Sequence, residues 1–205
     1  METQFLWKLK YLGIQFLCNT GITDMSDMCT RFYGQCNNIM SDLDKQSNET
    51  SAVHLVKTYC LPTLMYGCKA WTLMDGSLLK LNTAWNNCFR HIFLCCWRES
   101  MCPLQFFCKS LPFDLLLDQP KLIICMKIRR SNNVVLQTLS GLNYYELLAT
   151  CSKYNINASH MSENIVKQML WNVFSHTVGI SIWWSVFLKC MFYFVCLCCI
   201  AASVA

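Results

Sequence analysis

The sequence predicts a mainly α protein: a helical bundle with a short N-terminal strand and a C-terminal apolar helix of transmembrane length. Three observations predict it. Apolar residues recur at steps of three and four in several long segments, the spacing that lines one face of a helix. The strand-like run is short and lies near the N-terminus, LKYLGIQFL at residues 9–17. Hydrophobic residues make up 54% of the 205-residue chain and charged residues 14%, against roughly 25% charged in ordinary soluble domains, so a large core is within reach.

In chain order, residues 9–17 read as a strand with a turn at Gly13. Thr23 or Asp24 can cap a helix whose buried stripe is Met25, Met28, Phe32, Cys36, Ile39 and Leu43. The polar run Asp44 to Ser51 reads as a loop. A second helix follows, carried by Ala52, Leu55, Val56 and Tyr59, which Pro62 should end or kink because proline has no amide donor. After a turn at Asp75-Gly76-Ser77, Ser77 is placed to cap the strongest helix, with its stripe at Leu78, Leu81, Trp85, Cys88, Ile92 and Cys95. Residues 98–114 hold two prolines and predict a short helix between loops. Asp118 is the expected cap of the next helix, with Pro120 in its first turn, where a missing amide does least harm. Lys127, Arg129 and Arg130 then suit that helix's negative end. Weaker helical pieces lie at 132–139 and 143–151, and Ser162 opens a helix carried by Ile165, Val166, Met169, Leu170 and Val173.

Charge and cysteine content bound the function. The net charge of +5 is a mild bias, short of the dense basic patches of committed nucleic-acid binders. The 16 cysteines follow no recognisable secretory signal, so they read as mostly buried free thiols rather than a disulfide scaffold. Adjacent pairs such as Cys95-Cys96 lack the two-residue spacer of a zinc knuckle, so no metal and no cofactor is implied. His54 and His91 read as ordinary histidines. Tyr66, Trp71, Trp85 and Trp97 read as core packing rather than stacking platforms.

The tail changes character. Residues 178–205 are apolar apart from small polar groups and Lys189. A membrane span needs about 20 such residues, and Trp183 and Trp184 suit an interface. Lys189 opposes insertion, at roughly 2.5–3.5 kcal/mol near the bilayer centre. Three readings stay open: a transmembrane helix at 180–200 that makes the membrane a partner and a location, a segment buried in a core or aggregate, and a disordered non-native extension. Without insertion the location would be cytoplasmic or nuclear.

Four segments, taken in order, carry a family resemblance: KYLGIQF at 10–16, KTYCLPTLMYGCKAW at 57–71, LNTAWNNCFRHIFLCCWR at 81–98 and RRSNNVVL at 129–136. Together they resemble the region downstream of the catalytic palm in non-LTR (LINE-like) retrotransposon reverse transcriptases. The resemblance covers about residues 8–155. It implies a thumb-like and connection bundle, with a palm-to-thumb junction at 1–20 and the thumb and connection at 21–155; a helical extension at 156–177 and the apolar tail at 178–205, which has no counterpart in the family, follow.

The same resemblance implies no catalysis. The family's metal-binding Asp-Asp pair precedes the Tyr-Leu-Gly element, whereas here METQFLWKLK precedes Tyr11 and no Asp-Asp pair occurs anywhere in the sequence. The expected function is therefore that of a catalytically inactive reverse-transcriptase remnant with at most weak, nonspecific nucleic-acid binding. Its candidate phosphate-contacting residues are Lys121, Lys127, Arg129 and Arg130, which would serve RNA or DNA backbone alike. The alternative is a small membrane-associated protein with an interaction role. Without a palm, part of the apolar stripe on residues 25–43 or 78–95 would be exposed and would favour self-association.

Overall fold

The structure is a computed structural model that describes residues 8–11, 14–17, 23–43, 48–68, 73–142, 144–154 and 162–179. Three short antiparallel strands, β1 (Lys8–Tyr11), β2 (Ile14–Leu17) and β3 (Thr23–Asp24), open the chain. They pair in the order β1-β2-β3, with Tyr11 opposite Ile14 and Phe16 opposite Thr23. The run read as one strand is thus two, and the expected turn at Gly13 lies outside the described residues.

Helix α1 (Ser26–Asp42) follows, with Met28, Phe32 and Cys36 buried on the face that the stripe marked. Asp24 accepts a hydrogen bond from the Ser26 amide at 3.0 Å, folding the chain into the helix one residue before its cap. Helix α2 (Glu49–Leu55) starts inside the expected loop, because the Asn48 side chain accepts from the Thr50 amide at 2.9 Å and caps it. The helix then widens into one π-helical turn, Val56–Cys60, before α3 (Leu61–Leu64). Pro62 explains the widening. Its missing amide breaks the four-residue ladder, and the Leu61 amide instead reaches back to the Val56 carbonyl.

Helix α4 (Asp75–Phe93) starts two residues before the expected cap. Ser77 lies buried in its first turn, and the Met74 carbonyl accepts from the Ser77 and Leu78 amides at 2.9 and 3.0 Å. The short α5 (Cys102–Phe107), with Pro103 in its first turn, leads to α6 (Phe113–Arg129). Here a sequence expectation is corrected: Asp118 does not cap α6, and Pro120 sits inside it. An interior proline costs about 3 kcal/mol. Extending the helix back to Phe113 buries Phe113, Leu115 and Leu117, each worth roughly 1.5–3 kcal/mol, so the longer helix wins. Helices α7 (Val134–Leu142) and α8 (Tyr144–Lys153) and a last helix, α9 at residues 163–179, complete the bundle.

Two cores share α6. In the first, α1 to α4 close around Phe32, Val56, Leu64, Leu81, Trp85 and Phe89, joined by Phe113 and Leu117 of α6. Trp85 is its centre: its ring meets Phe89 edge-on at 5.1 Å, and its Nε1 donates to the Leu111 carbonyl at 3.3 Å. The second core packs Leu115, Leu122, Ile123 and Met126 of α6 against Cys151, Tyr154 and the α9 residues Val166, Leu170, Phe174 and Val178. The stripes of α1 and α4 therefore largely bury each other, although Leu79 and Leu94 within residues 78–95 stay exposed.

The expectation of a C-terminal transmembrane helix, and with it a membrane partner and a membrane location, is corrected. Among the described residues no helix is long and apolar enough to cross a membrane. Helix α9, which leads into the tail, is amphipathic: Val166, Leu170, Phe174 and Val178 face the second core while Lys167, Gln168, Asn172 and His176 face solvent. The span proposed at residues 180–200 lies outside the described residues.

Candidate nucleic-acid interface

Helix α6 positions all four candidate phosphate contacts, but not on one face. At about 100° of rotation per residue, Lys127 and Arg130 fall on neighbouring sides, Arg129 nearly opposite Lys127, and Lys121 roughly 9 Å back along the axis. Their electrostatic partners agree with that geometry. The Lys121 ammonium is half-buried on the first-core side, where its charge opposes the upward push that burial gives the Cys68 thiol. Arg129 acts in the same way on Cys151 of α8, whose thiol burial pushes up. Lys127 reaches across to Glu163, the first residue of α9, at 3.3 Å.

A fifth cation, which the sequence reading passed over, joins the group. Lys167 of α9 pairs with the same Glu163 at 2.8 Å, so one carboxylate serves two ammonium groups. Their combined field holds the Glu163 carboxyl below its usual range, through hydrogen bonds from Lys167 and then Lys127. Both side chains are exposed, and pairs of this kind contribute little to stability because water screens them. The end of α6 and the start of α9 thus carry Lys127, Arg129, Arg130 and Lys167, all exposed, while Lys121 stands apart. The spacing between Lys167 and Glu163, one helical turn on a separate segment, was the signal available in the sequence.

At the opposite end of α6, around Asp114 and Leu115, a cavity of about 660 Å³ opens between α4, α5, α6, α8 and α9. Leu78, Leu115, Val173 and Phe174 form much of its wall, and Asn82, Asn86, Gln105, Asp75 and Asp114 supply polar groups. Gln105 is buried and donates through Nε2 to Asn86 Oδ1 at 2.8 Å, which satisfies the amide and fixes α5 on α4. At the cavity edge Asp118 Oδ2 accepts from the Tyr154 hydroxyl at 2.6 Å and from Lys153 Nζ at 2.8 Å. Burial and that carboxylate push the Tyr154 phenol well above its ordinary value of 10, so it stays a donor across the whole physiological range.

The described residues show no group of three or more His, Cys, Asp or Glu side chains arranged to hold a metal ion. Among the described residues several large apolar side chains are exposed, Leu94 at 89%, Trp97 at 73% and Phe107 at 73%. Compared with known proteins, no family model matches the chain, and no curated protein or solved structure matches it significantly.

Proposed function

We propose that this chain is a non-catalytic helical module related to the thumb and connection of non-LTR retrotransposon reverse transcriptases, making weak, nonspecific contacts with nucleic-acid backbone. The observation that carries the binding part is the sharing of Glu163 by Lys127 and Lys167 beside Arg129 and Arg130. Exposed cations gathered at one end of a helix attract phosphate without reading bases. The relation to the family rests on the four ordered sequence segments. Their residues form joints of this bundle: Leu61 and Pro62 follow the π-helical turn, and Trp85 and Phe89 fill the first core. The absence of an Asp-Asp pair in the sequence supports a role without polymerisation. Fluorescence anisotropy with labelled single-stranded and duplex oligonucleotides tests the reading: binding should be weak, indifferent to sequence and lost as salt rises.

A second reading is favoured by a separate observation. Leu94 and Trp97 on the link between α4 and α5, and Phe107 at the end of α5, present large apolar side chains to solvent, and such surface drives association between copies. Sedimentation velocity over a concentration series tests it, with a sedimentation coefficient that rises with concentration as the expected result.

A further inference from the structure

Three thiols from three separate elements meet inside the first core: Cys36 of α1, Cys60 of the π-helical turn and Cys88 of α4. Cys36 Sγ and Cys88 Sγ lie 3.5 Å apart, and both side chains are shut away from solvent at 3% and 4% exposure. Cys60 lies close enough to Cys36 that the two thiols influence each other electrostatically. A disulfide bond is about 2.05 Å long, so closing the Cys36–Cys88 gap takes a movement of roughly 1.5 Å, within the reach of side-chain rotation.

We propose that Cys36 and Cys88 are an internal disulfide site, which an oxidising thiol–disulfide couple closes to lock α1 onto α4. The chemistry is two successive exchanges. A thiolate from one of the two cysteines attacks a small-molecule disulfide, forming a mixed disulfide and expelling one small thiolate. The second cysteine, deprotonated, then attacks the protein sulfur of that mixed disulfide and expels the other. Two protein thiols lose two electrons and two protons overall, and one disulfide becomes two thiols. The proposal is independent of the nucleic-acid reading, because it rests on the core alone.

Burial sets when this happens. Both the hydrogen bond with Cys88 and desolvation push the Cys36 thiol far up, which starves the folded core of thiolate, and the oxidant has no path to it. Closure therefore belongs to folding or to local opening, when the two helices have met but the core is not yet sealed. The 51 residues between the two cysteines form a long loop in the unfolded chain, so the link should restrict that ensemble strongly. Cys60 sits beside the pair as a resident thiol that must not be consumed for the link to form.

The test refolds the full chain in a glutathione buffer poised oxidising or reducing, quenches free thiols with an alkylating agent and maps non-reduced peptides by mass spectrometry. The expected result is a dominant peptide pair joining Cys36 to Cys88 in the oxidised sample, released by reductant. The pair should survive in Cys60→Ala and vanish in Cys36→Ala and Cys88→Ala. The oxidised wild-type chain should melt roughly 10 °C above the reduced one, and the double variant Cys36→Ala/Cys88→Ala should lose that difference. Recovery of both residues as alkylated thiols from the refolded oxidised protein, or linkage of Cys36 to Cys88 no more often than to the other cysteines, would overturn the proposal.

Discussion

Tyr154, just beyond the end of α8, donates its hydroxyl to Asp118 in the middle of α6 at 2.6 Å, tying the second core together through one carboxylate oxygen. Lys153 reaches the same oxygen at 2.8 Å, but from the solvent side. The two partners of Asp118 therefore differ in worth. A hydrogen bond from a buried hydroxyl to a carboxylate contributes about 1.5–3 kcal/mol, whereas an exposed ammonium contributes well under about 1 kcal/mol. Asp118→Ala should destabilise the protein by roughly 2 kcal/mol and Lys153→Ala by less than about 0.5 kcal/mol, as read from urea unfolding midpoints. Equal losses from the two variants would refute the difference.

Alkaline pH should weaken the fold through both cores, by way of Cys60 and Cys68 in the first and Tyr154 in the second. Burial pushes the Cys60 thiol up to about 12 and the Cys68 thiol up to about 11, from ordinary values of 9. Tyr154 is raised too, by burial and then by Asp118. Each group holds its proton in the folded chain at a pH where the unfolded chain has lost it. The folded state then binds more protons, and stability falls as pH rises. The decline should begin near pH 9 for the thiols and continue past 10 for the phenol. Tyr154→Phe should remove only the part above pH 10, and melting curves in a pH series would show whether it does.

Leu94 ends α4 with φ at 52°, in the left-handed region, and its side chain stands in solvent. A non-glycine residue there costs roughly 1 kcal/mol, partly offset because glycine loses more entropy on folding. Leu94→Gly should leave stability equal or raise it by up to about 1 kcal/mol. It should also reduce concentration-dependent sedimentation, because it removes the most exposed large apolar side chain among the described residues. Destabilisation together with unchanged association would contradict both halves of this reasoning.

Trp85 fills the centre of the first core with no exposed surface. Trp85→Ala should cost roughly 3–5 kcal/mol, enough to unfold a marginal bundle, whereas Trp85→Phe should cost less because ring contacts with Phe32 and Phe89 persist. Circular dichroism at a range of temperatures distinguishes the two. A Trp85→Ala chain that melts like the wild type would mean that the core is not built around this ring.

The stripe of α1 was legible in the sequence because Met28, Phe32 and Cys36 repeat at a helical period and all three are buried. The same period marked Leu81, Trp85, Cys88 and Ile92 of α4. Helix starts were less legible. Ser77 and Asp118 have the chemistry of caps, yet both lie within helices, because apolar residues upstream gain more from burial than a cap gains from one hydrogen bond. The π-helical turn before Pro62 was foreseen only as a kink, since the proline announces a broken ladder and not how the backbone repairs it. At the basic end of α6, composition marked Lys127, Arg129 and Arg130. It missed Lys167, because α9 meets α6 only through the tertiary packing of Val166 and Leu170.

The proposed hold on nucleic-acid backbone is weak and purely electrostatic, exerted by Lys127, Arg129 and Arg130 at the end of α6 with Lys167 of α9. The most direct measurement is the affinity of the full chain for a duplex oligonucleotide at 50 and 200 mM salt, beside a variant carrying Lys127→Gln, Arg129→Gln and Arg130→Gln. About three phosphate contacts give a logarithmic slope near −2.7, so affinity should fall roughly forty-fold over that interval, and the variant should bind more weakly with a shallower slope. Binding that ignores salt, binding that the variant retains in full, or no binding at 50 mM would contradict the account.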